Sequence, residues 1–183
     1  MLNQFNLNWS DIHTLVFDFD GIFTNNKVYT SENGTEIIKC DKSDSLGLDI
    51  LRRYIILKNW DLDYFILTKE ANPVVGKRAE KLKIKCFQAE DNKLDFLKNR
   101  LSNRFNELNN CRKGLVYLGN DLNDYSAIKF SGYSFAPNDA NRLIKENCDF
   151  VLKKNGGCGC VREFIDELLN LNQLDGKLLS ELI

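Results

Sequence analysis

This sequence predicts an α/β fold, a doubly wound parallel sheet with helices on both faces, and three observations carry the prediction. Short apolar runs alternate along the chain with amphipathic segments of helix length, which is the pattern of βαβ units. The first run, Leu15-Val16-Phe17, ends in Asp18-Phe19-Asp20-Gly21, as a buried strand with a ligand-bearing tip would. The length, 183 residues, suits one domain with a substantial core.

The strands are expected at Thr14–Asp18, Asp63–Thr68, Ile84–Gln88, Gly114–Gly119, Tyr133–Ala136 and Phe150–Leu152. Helices are expected near Ser43–Leu57, Pro73–Leu82, Asn92–Asn106, Asn123–Phe130, Asp139–Asn147 and Val161–Leu171. Asn72-Pro73 supplies an N-cap and a first-turn proline for the second helix. One segment breaks the alternation: Lys27–Thr30 and Thr35–Lys39 flank Asn33-Gly34 and read as a β-hairpin. This hairpin, about residues 26–40, should lie over the first strand's tip as a small flap, too small to be a cap domain. From Asn172 the chain reads as a weakly amphipathic tail. The whole is expected to be a single Rossmann-like domain over residues 1–183.

Composition excludes several functions. Hydrophobic residues make up 43% and charged residues 28%, with a net charge of −1 and no basic run, so neither nucleic acid nor an anionic membrane is expected as partner. No apolar stretch approaches the roughly 20 residues of a membrane span. The first six residues lack a basic flank and apolar core, so a cytoplasmic location is expected. The six cysteines are dispersed, and Cys158-x-Cys160 is not a C-x-x-C site, so reduced thiols are expected. A single histidine, His13, makes histidine triads and histidine-based zinc sites improbable. Carboxylates, hydroxyls, lysine and a metal must therefore carry any catalysis.

Those groups stand at successive strand ends. Asp18 and Asp20, with Thr24 following, repel each other unless a cation sits between them, which suggests Mg²⁺, although Asp and Gly also form plain turns. Thr68 ends another strand, ahead of Lys69-Glu70. Lys93 opens a helix, and Gly119-Asn120-Asp121-Leu122-Asn123-Asp124 follows the fourth strand as an acidic turn. Singly these read as a strand residue, a solvated lysine and a helix cap. Together they suit phosphoryl transfer through an aspartyl-phosphate. Asp18 would attack phosphorus, Asp20 would act as acid and base, and Thr68 and Lys93 would hold the phosphoryl oxygens. A phosphoacceptor receiver uses a similar kit, but its acceptor aspartate stands alone on a later strand.

With these residues in order, the chain resembles the haloacid dehalogenase superfamily of phosphatases. More narrowly it resembles the capless branch that acts on 2-keto-3-deoxy sugar acids, octulosonate 8-phosphate and nonulosonate (sialic acid-type) 9-phosphate. Asp18-Phe19-Asp20-Gly21-Ile22-Phe23-Thr24 is similar to the first superfamily motif, and Ser43-Asp44-Ser45-Leu46-Gly47 to the segment after the flap. Leu67-Thr68-Lys69-Glu70 with Arg78–Leu82 is similar to the second motif and its helix, and Lys93 to the third. Gly156-Gly157-Cys158-Gly159-Cys160-Val161-Arg162-Glu163 is similar to the branch's Gly-Gly-x-Gly-x-x-Arg-Glu signature.

The resemblance implies Mg²⁺ on the Asp18 side chain and the Asp20 carbonyl, and a homotetramer in which a neighbour completes each site. It implies that Arg78 and Lys81, a helical turn apart, reach the substrate carboxylate of an adjacent protomer. Glu70, where octulosonate enzymes tend to carry Thr-Gly-Arg, implies a nonulosonate 9-phosphate. At the fourth motif the family has Gly-Asp, whereas this chain has Asn120 followed by Asp121, and either, supported by Asp124, could complete the metal site. The same replacement occurs in the phosphatase-like domain of animal CMP-sialic acid synthetases. A working Mg²⁺-dependent phosphatase and a catalytically weak tetramerisation module therefore both remain open.

Overall fold

A computed structural model describes residues 7–105 and 111–183. Its main sheet has six parallel strands, β1 (Thr14–Phe17), β4 (Asp63–Leu67), β5 (Lys85–Phe87), β6 (Leu115–Leu118), β7 (Tyr133–Ala136) and β8 (Phe150–Val151). They lie in the order β5-β4-β1-β6-β7-β8. Counting only these six along the chain, the order is 3-2-1-4-5-6, so the direction of winding reverses between β1 and β6. In-register pairs such as Val16 with Phe65 and with Tyr117 hold the centre together. β2 (Thr24–Thr30) and β3 (Glu36–Cys40) form the expected antiparallel flap.

Side-chain alternation divides the core into two layers. Leu15 and Phe17 of β1 face one layer, with Leu48 and Leu51 of α1 (Lys42–Lys58), Val75 and Ala79 of α2 (Pro73–Leu82) and Phe164 of α6 (Cys160–Leu168). Val16 faces the other, with Leu97 of α3 (Lys93–Arg104), Ile128 of α4 (Tyr125–Phe130) and Ile144 of α5 (Arg142–Asn147). Helices therefore cover both faces, and the central strands β1 and β6 are buried along their whole length.

The expected elements form, with shifted ends. α2 matches, with Asn72 accepting from the Val74 amide and Pro73 in the first turn. α4 begins later than expected because Asp121 caps a 3-10 turn over Leu122–Asp124. α5 starts at Arg142 because Asn141 accepts from the Leu143 amide and so ends the preceding loop. For the expected helix Asn92–Asn106, Lys93–Arg104 is helical and Asn106 lies outside the described residues. The tail does more than expected: α7 (Gly176–Leu182), capped by Asp175, buries Leu182 in the α1-side layer. Among the described residues no helix is long and apolar enough to cross a membrane.

Candidate active site

Parallel strands bring their C-terminal tips to one edge, and β1 lies between β4 and β6. The residues following these three strands therefore converge. Asp18 leaves β1 with its amide donating to the Leu118 carbonyl at 2.9 Å. Thr68 leaves β4, and Asn120 to Asp124 leave β6. Lys93 comes from the opposite layer as the first residue of α3, held there by the Asn92 cap.

The centre is a buried ion triad. Lys93 Nζ donates to Asp18 Oδ1 and to Asp124 Oδ1, each at 2.7 Å, and the three side chains are 4% exposed or less. Asp124 is fixed by three further donors: Tyr117 Oη at 2.7 Å on Oδ1, and the amides of Asn120 at 2.9 Å and Asp121 at 3.3 Å on Oδ2. It serves as the anchor that aims Lys93 at Asp18. Burial, then the nearby Asp124, pushes the Asp18 carboxyl up, against the opposing pull of Lys93. Burial alone would lower the Lys93 ammonium, but the two carboxylates outweigh it and hold it above its usual value. Burial also raises Asp20, opposed by a 3.3 Å hydrogen bond from Thr24 Oγ1 and reinforced by Glu70. A carboxyl raised in this way is suited to hold a proton for a leaving group.

The loop carrying Asp18 and Asp20 is gripped from the C-terminal signature. The Gly157 amide donates to the Ile22 carbonyl at 2.9 Å, and the Cys160 thiol approaches the same oxygen at 3.2 Å. A Cβ on Gly156 would lie 2.0 Å from the Gly21 carbonyl oxygen, so only glycine permits the contact. Gly21, at φ +78°, similarly admits Asn120, whose amide nitrogen a Cβ there would meet at 1.9 Å. Asn120 is thus packed against the first-motif loop. Asp121 is exposed, and its Oδ1 accepts from the Leu122 amide and from Asn141 Nδ2. Of the two, the structure brings Asn120 to the loop between Asp18 and Thr24.

The residues present fit a divalent cation. Burial disfavours the ionised form of Asp18, the form able to attack, and a cation beside it would offset that cost. Among the described residues no three Asp, Glu, His or Cys side chains converge as a metal cage. Mg²⁺ needs only one or two carboxylates beside neutral oxygens and water. Asp18, the Asp20 carbonyl and the Asn120 amide could supply such a set.

Thr68 is buried, and its Oγ1 accepts from the Glu70 amide at 3.1 Å, leaving its own hydrogen to donate. Glu70 lines a cavity of about 230 Å³ shared with Asp20 and with Asn26, Lys27 and Glu36 of the flap. Asn72 ties the two sides together, its Nδ2 donating to Glu36 at 2.6 Å and its amide to Glu70 at 2.7 Å. Sequence reasoning missed Glu36, Lys27, Asn72 and Tyr117 as parts of the site. Arg78 and Lys81 are not brought to Asp18 within the chain. They line a separate cavity of about 320 Å³ with Ile38 and Cys40, and Arg78 Nη2 donates to the Asp41 carbonyl and to Ser45 Oγ.

Comparison with known proteins agrees with this geometry. Residues 12–165 match the model of the haloacid dehalogenase-like hydrolases. The 3-deoxy-D-manno-octulosonate 8-phosphate phosphatase of Escherichia coli (strain K12) is 29% identical over 160 residues, 87% of this chain and 80% of that protein. The corresponding phosphatase from Moraxella catarrhalis, in complex with magnesium, phosphate and KDO, superposes with a TM-score of 0.80 at 26% identity, covering 94% of each chain. The cobalt-bound enzyme from Haemophilus influenzae gives 0.74 at 26% identity, covering 88% of this chain and 90% of that one.

Proposed function

Because the chain belongs to the haloacid dehalogenase-like hydrolases, we propose that it hydrolyses the phosphate monoester of a 2-keto-3-deoxy sugar acid. A nonulosonate 9-phosphate is the preferred substrate and an octulosonate 8-phosphate the next. The observation that carries the reading is the Asp18–Lys93–Asp124 triad beside a raised Asp20. A structural ion pair has no need of a second carboxyl two residues on, raised by burial and lining a cavity.

An Asp18 oxygen attacks phosphorus as the ester P–O bond breaks, and Asp20 passes its proton to the departing alkoxide. Asp20, now a carboxylate, takes a proton from water that attacks the aspartyl-phosphate, releasing phosphate and restoring Asp18. Lys93 and the Thr68 hydroxyl stabilise charge on the phosphoryl oxygens, each donor contributing about 3 kcal/mol. Mg²⁺, when bound by Asp18, the Asp20 carbonyl and Asn120, supplies positive charge that offsets the phosphate. Glu70 accepts hydrogen bonds from sugar hydroxyls, which is the basis of the 9-phosphate preference.

A homotetramer is part of the proposal. A two-stranded hairpin is marginal alone, and this one leaves Val28 52%, Tyr29 64% and Ile37 60% exposed. Cover from neighbouring copies would stabilise it and bring Arg78 and Lys81 towards an adjacent site. Asn120 in the position of the family's aspartate favours a second reading, a weakly catalytic tetramerisation module. Phosphate release from both sugar-acid phosphates, with Mg²⁺, separates the two. Wild type should turn over, Asp18→Asn should not, and Glu70→Ala should erode the preference for the 9-phosphate. Equal inactivity of wild type and Asp18→Asn in an intact tetramer would establish the module, and a wild-type preference for the octulosonate would reverse the substrate order.

A further inference from the structure

The flap strand β2 does something a regular strand cannot. Asn26, Lys27 and Val28, three consecutive residues, all line the cavity beside Asp20, whereas successive strand residues normally point to opposite faces. The cause is a break in the β2–β3 register between Thr24 and Val28, with Asn26 in the left-handed region at φ +58°. Such bulges re-aim a side chain, often beside an active site. Here Lys27, exposed to solvent, stands at the rim of the cavity.

Its surroundings make the charge informative. The other ionisable groups lining the cavity are Asp20, Glu36 and Glu70, all acids. Glu36 and Glu70 are turned towards Asn72 and not towards the ammonium, and among the described residues Lys27 forms no ion pair. A cavity walled by Glu36 and Glu70 beside the proton-holding Asp20 accepts hydroxyl donors and disfavours an anion everywhere except at its one cation. The proposed substrate carries both hydroxyls and a carboxylate that is ionised at neutral pH.

We propose that Lys27, at the cavity rim beside the flap bulge, receives the substrate carboxylate within the same chain, while Glu36 and Glu70 accept the sugar hydroxyls. This deepens the phosphatase reading and rests on it. Lys27 adds a contact from the site's own chain to any that Arg78 and Lys81 supply from a neighbour. It also makes flap position a determinant of substrate class, because straightening the bulge would turn Lys27 away.

The test is steady-state kinetics of wild type, Lys27→Met and Lys27→Arg on two esters, the sugar-acid phosphate and an aldose phosphate lacking the carboxylate. For the acid, Lys27→Met should raise KM about tenfold with kcat unchanged, as loss of a charge-assisted hydrogen bond would. The aldose phosphate should show no change, and Lys27→Arg should restore the acid's KM. Equal effects on both esters, or an unchanged KM for the acid, would overturn the proposal. Inactivity of wild type on both esters would instead overturn the phosphatase reading, and this proposal with it.

Discussion

Asp44 offers a quantitative test of how the flap's base is built. It lies in the first turn of α1, fully buried, its Oδ1 accepting from the Arg162 amide at 2.9 Å and its Oδ2 buried without a partner. Burial pushes its carboxyl from 3.8 up to about 7, against the Arg162 hydrogen bond. Below pH 4 it is protonated in both folded and unfolded chains and costs nothing. Between pH 4 and 7 the unfolded chain releases the proton and the folded chain keeps it, so stability falls by about 1.4 kcal/mol per pH unit. Above pH 7 the penalty levels off at about 4 kcal/mol. Asp44→Asn retains an acceptor for the Arg162 amide and cannot ionise. Urea unfolding of wild type and variant, at one fixed protein concentration from pH 4.5 to 8, should therefore diverge in the variant's favour up to about pH 7 and then run parallel. A stability difference that stays constant across that range would refute the assignment of a buried, proton-holding Asp44.

Lys93→Met leaves Asp18 and Asp124 without their shared cation; kcat should fall 10²-fold or more and stability by about 3–5 kcal/mol, read by phosphate release and urea unfolding. Gly156→Ala drives a methyl group into the Gly21 carbonyl, and displacing the loop should lower kcat by about 10²-fold in a protein whose circular dichroism remains folded. Asn120→Asp adds a negative charge beside the first-motif loop and should lower the Mg²⁺ concentration for half-maximal activity; an unchanged requirement would mean that Asn120 is not a ligand.

Much of the fold was legible because its signals are local. The six apolar runs, the Asn72-Pro73 start and the Asn33-Gly34 hairpin each encode their structure within a few residues. The strand-tip residues of the site were legible for a related reason: once the strands are parallel, their ends must meet. What escaped depends on contacts between distant residues or on backbone irregularity. Lys93 was legible as a catalytic residue, but its burial between Asp18 and Asp124 was not, because those partners lie 75 and 31 residues away. Tyr117 reads as one more apolar strand residue, and only the fold sets its hydroxyl on Asp124. Lys27 reaches the cavity rim through a bulge that period-two reasoning does not anticipate, and Glu36 only because the flap folds over the strand tips. The packing of the tail was missed for a similar reason, since Leu182 is buried in the core layer that α1 also lines.

The central claim is that Asp18 becomes covalently phosphorylated. Rapid acid quench of the enzyme with Mg²⁺ and a sugar-acid phosphate bearing radioactive phosphorus, followed by peptide mapping, tests it directly. Label should appear on the peptide containing Asp18, persist longer in Asp20→Asn and vanish in Asp18→Asn. Turnover by wild type with no label on that peptide at any quench time, or undiminished turnover by Asp18→Asn, would contradict it.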